Sequence, residues 1–132
     1  MFSTNVIVVG GGIAGISSAM ALADLGFKVF LIEKESKPGG KAASYGCKAT
    51  QKCNKCNVCL AVERARLVLT YPNITFMPNR EVCGVEGQSG GFRVALARVA
   101  GSESIREEVI EAGAIILTTG FEHFDAKKKP NL

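Results

Sequence analysis

No charged side chain occurs among the first 23 residues of this 132-residue chain. An uncharged N-terminal stretch raises the question of a membrane span or a signal peptide. Gly10, Gly11, Gly12, Gly15, Ser17 and Ser18 interrupt the apolar run and no basic segment leads into it, so neither is expected. Histidine occurs once, as His123, and no Ser/His/Asp arrangement or paired carboxylates can be picked out, which leaves acid–base hydrolysis without support. His123 itself, just past Gly120, reads as a surface residue. Basic residues are spread along the chain without interleaved aromatics, and Lys127 to Lys129 near the end form a run. The net charge of +4 therefore reads as solvated surface, with no nucleic acid as partner. A disulfide framework is also missing. The cysteine count of five is odd and no secretory signal accompanies it, which points to metal or redox chemistry in a soluble, cytoplasmic chain. The length suits one domain, burying about two-thirds of its unfolded surface.

What is present is concentrated in Val6 to Glu33. The apolar, β-branched run Val6-Ile7-Val8-Val9 reads as a strand, and Gly10-x-Gly12-x-x-Gly15 as the turn out of it. Ile16, Ala19, Met20 and Ala23 then recur at helical spacing until Gly26, and Lys28 to Glu33 reads as a second strand. This is the pattern of a dinucleotide-binding βαβ unit. Gly10 permits the sharp turn, Gly12 a close approach of backbone to pyrophosphate, and Gly15 close packing of helix on strand. The helix N-terminus offers unpaired N–H groups and the positive end of a dipole. Glu33 is placed to accept hydrogen bonds from a ribose and disfavours a 2′-phosphate. Gly39-Gly40 follows in a polar loop and lets backbone pass close to a ligand, with Lys41 able to reach phosphate.

Further along, Ala42 to Asn57 reads as a loop and Val58 to Tyr71 as a helix with one apolar face. Ile74 to Met77 reads as a third, parallel strand. Glu81 to Gly87, Gly91 to Val99 and Ile105 to Ile110 are β-rich segments, separated by Gln88-Ser89-Gly90 and Gly101-Ser102-Glu103 as hairpin loops. Ala114 to Thr119 is a last apolar strand stopped by Gly120.

The second chemical feature is Cys47-x5-Cys53-x2-Cys56-x2-Cys59. Two successive Cys-x2-Cys spacings let one loop aim three thiolates at one centre, as in iron–sulfur proteins, with Cys47 the nearest fourth ligand. Lys48, Lys52 and Lys55 interleave and favour thiolates. A [4Fe–4S] cluster is the leading reading. Zinc held by the same four thiolates is a competitor, although its sites more often use two well-separated pairs. A redox-active cysteine pair is another, but flavin disulfide reductases place their first cysteine almost at once after the Gly-Gly pair, with four residues before the second, and the spacings here differ. Cys83, in a strand, reads as a buried small apolar residue.

The run Gly10-x-Gly12-x-x-Gly15-x3-Ala19-x2-Leu22-x3-Gly26-x2-Val29-x3-Glu33-x5-Gly39-Gly40 resembles the extended FAD motif of the flavoproteins with two dinucleotide-binding domains. The resemblance implies FAD rather than NAD, a β-meander after the third strand, and a last strand ending in a Thr-Gly pair, here Thr119-Gly120. It implies an α/β fold: a Rossmann-like βαβ FAD-binding domain over 1–120, with a parallel sheet, an inserted antiparallel β-meander at 81–110 and a cysteine-rich loop at 42–59. Cofactor binding would fall to Gly10, Gly11, Gly12, Ala14, Gly15, Glu33, Lys34, Gly39, Gly40 and Lys41. The backbone of Val82 would meet the adenine, and Thr119 and Gly120 would pass near the cofactor. The family usually has arginine at the position of Lys41, so the charge is kept and the fork lost.

Glu33-Lys34-Glu35 with Gly39-Gly40, Cys56-x2-Cys59 entering a helix, Pro72-Asn73-Ile74, Glu81-Val82, Gly84 to Gly87, Gly91 to Val94 and Gly113 to Phe121 with Phe124-Asp125 resemble, more narrowly, the heterodisulfide reductase A family. That resemblance implies an oxidoreductase subunit passing electrons between a flavin and an iron–sulfur cluster, with other subunits of an electron-transfer complex as partners. Two departures stand: Cys47 and Cys53 are additional, and a ferredoxin-like cysteine insertion between Arg98 and Ile110 is missing. The alternatives are a flavin-dependent pyridine nucleotide-disulfide oxidoreductase using a cysteine pair, or a non-catalytic nucleotide-binding relay subunit. Such flavoproteins continue into a second half, so 121–132 reads as a polar tail or linker, and the chain as an N-terminal fragment in preference to a small subunit completed by a partner.

Overall fold

The computed structural model describes residues 3–99 and 108–128. The first strand, β1, is Asn5–Val9, and Val6, Ile7 and Val8 within it are buried. An unbroken apolar run of this kind suits a strand covered on both faces. Helix α1, Ile13–Asp24, buries the stripe Ile16, Ala19, Met20 and Ala23, and β2, Lys28–Ile32, pairs with β1 in parallel.

Two helices follow. The short α2, Gly40–Ser44, lies where a loop is expected, because five residues are too few to show a helical period. Helix α3 covers Val58–Leu67 and tightens into a 3₁₀ turn at Val68–Thr70, short of the expected end at Tyr71. Such tightening pairs carbonyls that an α-helix leaves open at its end. Strand β3, Ile74–Met77, pairs in parallel with β2.

Strands β4 (Arg80–Gln88), β5 (Gly91–Arg98) and β6 (Glu108–Ala112) form an antiparallel meander. A register shift between Val82 and Gly84 marks a β-bulge. The third meander segment is seen at Glu108–Ala112 and runs past its expected end at Ile110; residues 105–107 and the expected loop Gly101-Ser102-Glu103 lie outside the described residues. Gly113 alone then carries the chain from one sheet to the other. Its N–H donates to Asn5 O at 2.9 Å, and a side chain there would collide with Ser3 O. The last strand, β7, is Ala114–Leu117 and pairs in parallel with β1.

The parallel sheet therefore has the order β3-β2-β1-β7, and the meander β4-β5-β6 is a separate sheet. Helices cover one face of the parallel sheet and the meander covers the other. Val8, Val29 and Leu31 pack on Ile16, Ala19, Met20, Ala65 and Val68. Ile7 and Ile32 pack on Val94, Leu96, Ile110 and Ala112. The Rossmann-like α/β reading with an inserted meander is the observed architecture. The chain leaves β1 for β2 on one side and reaches β7 on the other, so the sheet's switch point, where ligands of such folds bind, lies at the carboxyl end of β1.

Candidate dinucleotide site

Three strand ends converge where β1 stops. Gly10 N donates to Ile32 O at 2.8 Å and Thr118 N to Val9 O at 2.8 Å. Gly10 sits at φ +108°, and a Cβ there would strike the Thr118 carbonyl. A Cβ on Gly15 would strike the carbonyl of Gly10, so α1 lies as close to the strand end as backbone permits. Gly12 is different, because nothing lies within 4 Å of where its Cβ would be. It is the N-cap of α1, no side chain caps the helix, and its first turn holds no acid. The N–H groups of that turn, Ala14 included, have no partner within the helix and carry the positive end of its dipole. Backbone N–H groups facing open space suit an anion such as a pyrophosphate.

Glu33 closes the site beside β2. Its side chain is buried, with Oε2 accepting from Gly11 N at 2.7 Å and Oε1 from Glu35 N at 2.9 Å. A carboxylate oxygen has capacity for a second bond, so both can still receive ribose hydroxyls. The second glycine pair is stacked on the first loop: Gly39 N donates to Gly11 O at 2.7 Å, and a Cβ on Gly40 would lie 3.0 Å from Gly12 Cα. Gly39, at φ +123°, starts α2 in a conformation that favours glycine. The glycine loop is thus packed backbone against backbone, with the Glu33 carboxylate closing it on the β2 side.

Lys34 is exposed and, with Glu35, lines a cavity of about 710 Å³ on the β3 side that includes none of the glycines. Val82 lies two residues along β4 from Arg80, whose N–H donates to Glu33 O at 3.0 Å, and its side chain packs in the core between the sheets. Lys41, expected to reach phosphate, donates here to Phe121 O and holds its ammonium 4.2 Å from the Phe121 ring centroid. His123 meets that ring edge-on at 5.2 Å. Thr119 and Gly120 are exposed beyond β7. The threonine that touches the glycine turn is Thr118, whose hydroxyl lies 2.9 Å from both Val9 O and Gly10 O. Sequence reasoning misses it because Leu117-Thr118-Thr119-Gly120 carries two threonines; the available signal is that Thr118 is the first polar residue after an apolar strand.

The cysteines stand apart. Cys47, Cys53, Cys56 and Cys59 are free and exposed, and among the described residues no three Cys, His, Asp or Glu side chains converge as a metal site. Cys83, expected to be buried, is exposed as well, on a strand whose bulge leaves its Sγ 3.3 Å from Ala95 O. Cys59 is on α3 and the other three precede it in a segment without regular structure. The donor chemistry suits iron or zinc, but this arrangement does not gather it. That segment has no buried side chain to fix it, and metal binding itself supplies the ordering energy of many such loops.

The family described as NAD(P)-binding Rossmann-like domain matches residues 8–78. In Methanosarcina acetivorans, the A subunit of the ferredoxin/F(420)H(2)-dependent CoB-CoM heterodisulfide reductase is 40% identical over 96 residues, 73% of this chain and 12% of that protein. In Methanopyrus kandleri, the second of two A-type iron-sulfur subunits of CoB--CoM heterodisulfide reductase is 38% identical over 94 residues, 71% of this chain and 14% of that protein. This chain therefore spans about an eighth of the length of the curated relatives it matches. Among solved structures, L-proline dehydrogenase from P. horikoshii superposes with TM-score 0.62 at 26% identity, over 88% of this chain and 22% of that one. Thioredoxin reductase from Lactococcus lactis gives 0.66 at 20% identity, over 95% and 37%, a likeness of fold.

Proposed function

Since this chain belongs to the NAD(P)-binding Rossmann-like domain family, we propose that it is the FAD-binding portion, over 1–120, of an oxidoreductase subunit resembling heterodisulfide reductase A. The observation that carries the reading is Gly12, an uncapped helix N-terminus with nothing within 4 Å of its Cβ position. The stacking of Gly39-Gly40 on that loop supports FAD over NAD, since this second glycine pair belongs to the extended FAD motif.

Each residue has a stated task. The first turn of α1, with Gly12 and Ala14, binds pyrophosphate through backbone N–H groups, and Gly11 lets the loop pass close to the cofactor while its own N–H holds Glu33. Glu33 orients the adenosine ribose, Gly10 and Gly15 set the approach of helix to strand, and Thr118 fixes the Gly10 carbonyl. Lys41 anchors the segment after β7 beside the cradle. Val82, Thr119 and Gly120 line the path of the cofactor. FAD, when bound, supplies two-electron chemistry that can be released in single electrons, and the protein supplies binding, orientation and tuning. Cys47, Cys53, Cys56 and Cys59 would hold a [4Fe–4S] cluster, which exchanges single electrons. The double Cys-x2-Cys spacing and the name of the Methanopyrus relative, an iron-sulfur subunit, support this reading. The partners are other subunits of an electron-transfer complex.

Anaerobic purification followed by visible spectroscopy and iron and sulfide analysis tests both halves. The expected result is a flavin spectrum with a broad shoulder, and about four irons per chain that fall away in Cys56→Ser but not in Cys83→Ser. Bound zinc, or thiols that titrate as a single disulfide, would sink the cluster. A chain that takes up NAD but not FAD would sink the flavin.

A further inference from the structure

The meander is joined to the dinucleotide site by a path made of one ion pair and a run of hydrogen bonds. It begins at Glu108 on β6, whose Oε2 lies 3.6 Å from Arg80 Nε. The Arg80 guanidinium reaches back over the β3–β4 turn, with Nη1 donating to Pro78 O at 3.2 Å and Asn79 O at 3.4 Å. That turn holds Asn79 at φ +53°, a left-handed conformation that needs outside support in a residue other than glycine. Asn79 O also accepts from Val99 N at 3.2 Å, while Asn79 N donates to Glu35 O at 3.1 Å and Arg80 N to Glu33 O at 3.0 Å. The Glu35 peptide, held at its oxygen by Asn79, offers its N–H to Glu33 Oε1 at 2.9 Å, and Gly11 N holds Oε2 at 2.7 Å.

We infer that Arg80 is a positioning residue for Glu33, and that through the Asn79 turn and the Glu35 peptide it sets how tightly the adenosine end of the cofactor is held. The inference rests on the dinucleotide reading of the site. A ribose diol presents two hydroxyls to the two oxygens of one carboxylate, so the plane of that carboxylate decides whether both bonds form well. Glu33 has one backbone N–H on each oxygen to fix the plane. One comes from the glycine loop, and the other from a peptide held in place by the turn that Arg80 spans. Without the guanidinium, the turn keeps its backbone bonds but loses the group that braces the Pro78 and Asn79 carbonyls. The Glu35 N–H then drifts and one ribose contact weakens. Pyrophosphate, held by the other end of the loop, is untouched.

A double-mutant cycle on the full chain tests this, with FAD affinity read by flavin fluorescence and inorganic pyrophosphate as competitor. Arg80→Ala is expected to weaken FAD about five- to tenfold, the value of one lost hydrogen bond, and to leave pyrophosphate competition unchanged. Glu33→Gln weakens FAD further, and Arg80→Ala placed on top of it adds nothing, because residues acting through one group are not additive. Glu108→Gln, at a half-exposed position, keeps the fold and is expected to give about a two- to threefold loss in the same direction. It answers the question if Arg80→Ala does not fold. Full additivity with Glu33→Gln, an equal loss for pyrophosphate, or unchanged FAD affinity overturns the inference. If wild type ignores FAD yet binds ADP-ribose, the flavin reading fails, and the same cycle run with ADP-ribose still decides the role of Arg80. A chain that binds neither overturns both.

Discussion

Gly12 and Gly15, three residues apart, are expected to fail in opposite ways. Gly15→Ala drives a methyl into the Gly10 carbonyl, so α1 must move off the strand; a loss of about 1–3 kcal/mol or more is expected in thermal or urea unfolding. Gly12→Ala meets no atom within 4 Å, and its backbone at φ −75° suits alanine. It should fold with a loss of at most about 1 kcal/mol, the usual cost of alanine at an N-cap, and lose about tenfold or more in FAD affinity, because the methyl occupies the space proposed for the phosphate. Equal stability losses for the two would contradict this division. Thr118→Val keeps the shape and removes the hydroxyl facing the Val9 and Gly10 carbonyls, which should cost about 1 kcal/mol in urea unfolding. The tight turn at Gly10 and the close packing at Gly15 were legible in the sequence because each glycine has one steric job at fixed spacing. Thr118 was not: its partner, Gly10, is 108 positions away, and no local pattern encodes that pairing.

Among the elements, the βαβ unit and α3 were legible from their apolar periods. Helix α2 was hidden in a polar stretch because tertiary contact, the stacking of Gly39-Gly40 on Gly11-Gly12, makes it rather than propensity. The arrangement of the cysteines was not legible either, since Cys47, Cys53 and Cys56 lie in an exposed segment without regular structure, where no period and no core contact fixes the chain. One link between elements carries a pH test. Tyr71, just past the 3₁₀ turn that ends α3, donates its hydroxyl to Asp24 Oδ1 at 2.7 Å at the end of α1. That hydrogen bond, with the nearby carboxylate charge, raises the Tyr71 pKa above its ordinary value. A raised folded-state pKa means that the link is fully present below the unfolded tyrosine value of 10.0 and is lost as pH rises through the higher folded value. Asp24→Asn should therefore lower the Tyr71 ionisation midpoint in an ultraviolet titration, and an unchanged midpoint would show that the carboxylate is not its cause.

At the scale of the whole molecule, the parallel sheet is covered by helices on one face and by an antiparallel sheet on the other, so the meander is half of the core as well as an insertion. Leu96 is fully buried in the cluster between the sheets. Leu96→Ala should cost about 2–5 kcal/mol, and it should do so in a single transition seen alike by circular dichroism and by release of bound flavin. Two separate transitions would mean that the sheets unfold independently. The sequence announced the meander through its hairpin signals, but its packing on Ile7 and Ile32 could not be read from any window of residues. Alternation shows which side chains share a face, and it does not say which other sheet that face will meet.

The bond between Thr118 and Gly10 also fixes when the site can come into being. It closes a loop of 108 positions, which costs about 4 kcal/mol in chain entropy beyond the fixed term. During synthesis at about 5–20 residues per second, the βαβ unit would wait roughly 4 to 17 seconds between the appearance of Glu33 and that of Thr118. Through that interval β1 is an open edge on the side that β7 later fills, exposed to mispairing. The nascent chain can therefore fold its first strands early, but it acquires a finished glycine turn late, only once the meander has brought β7 home.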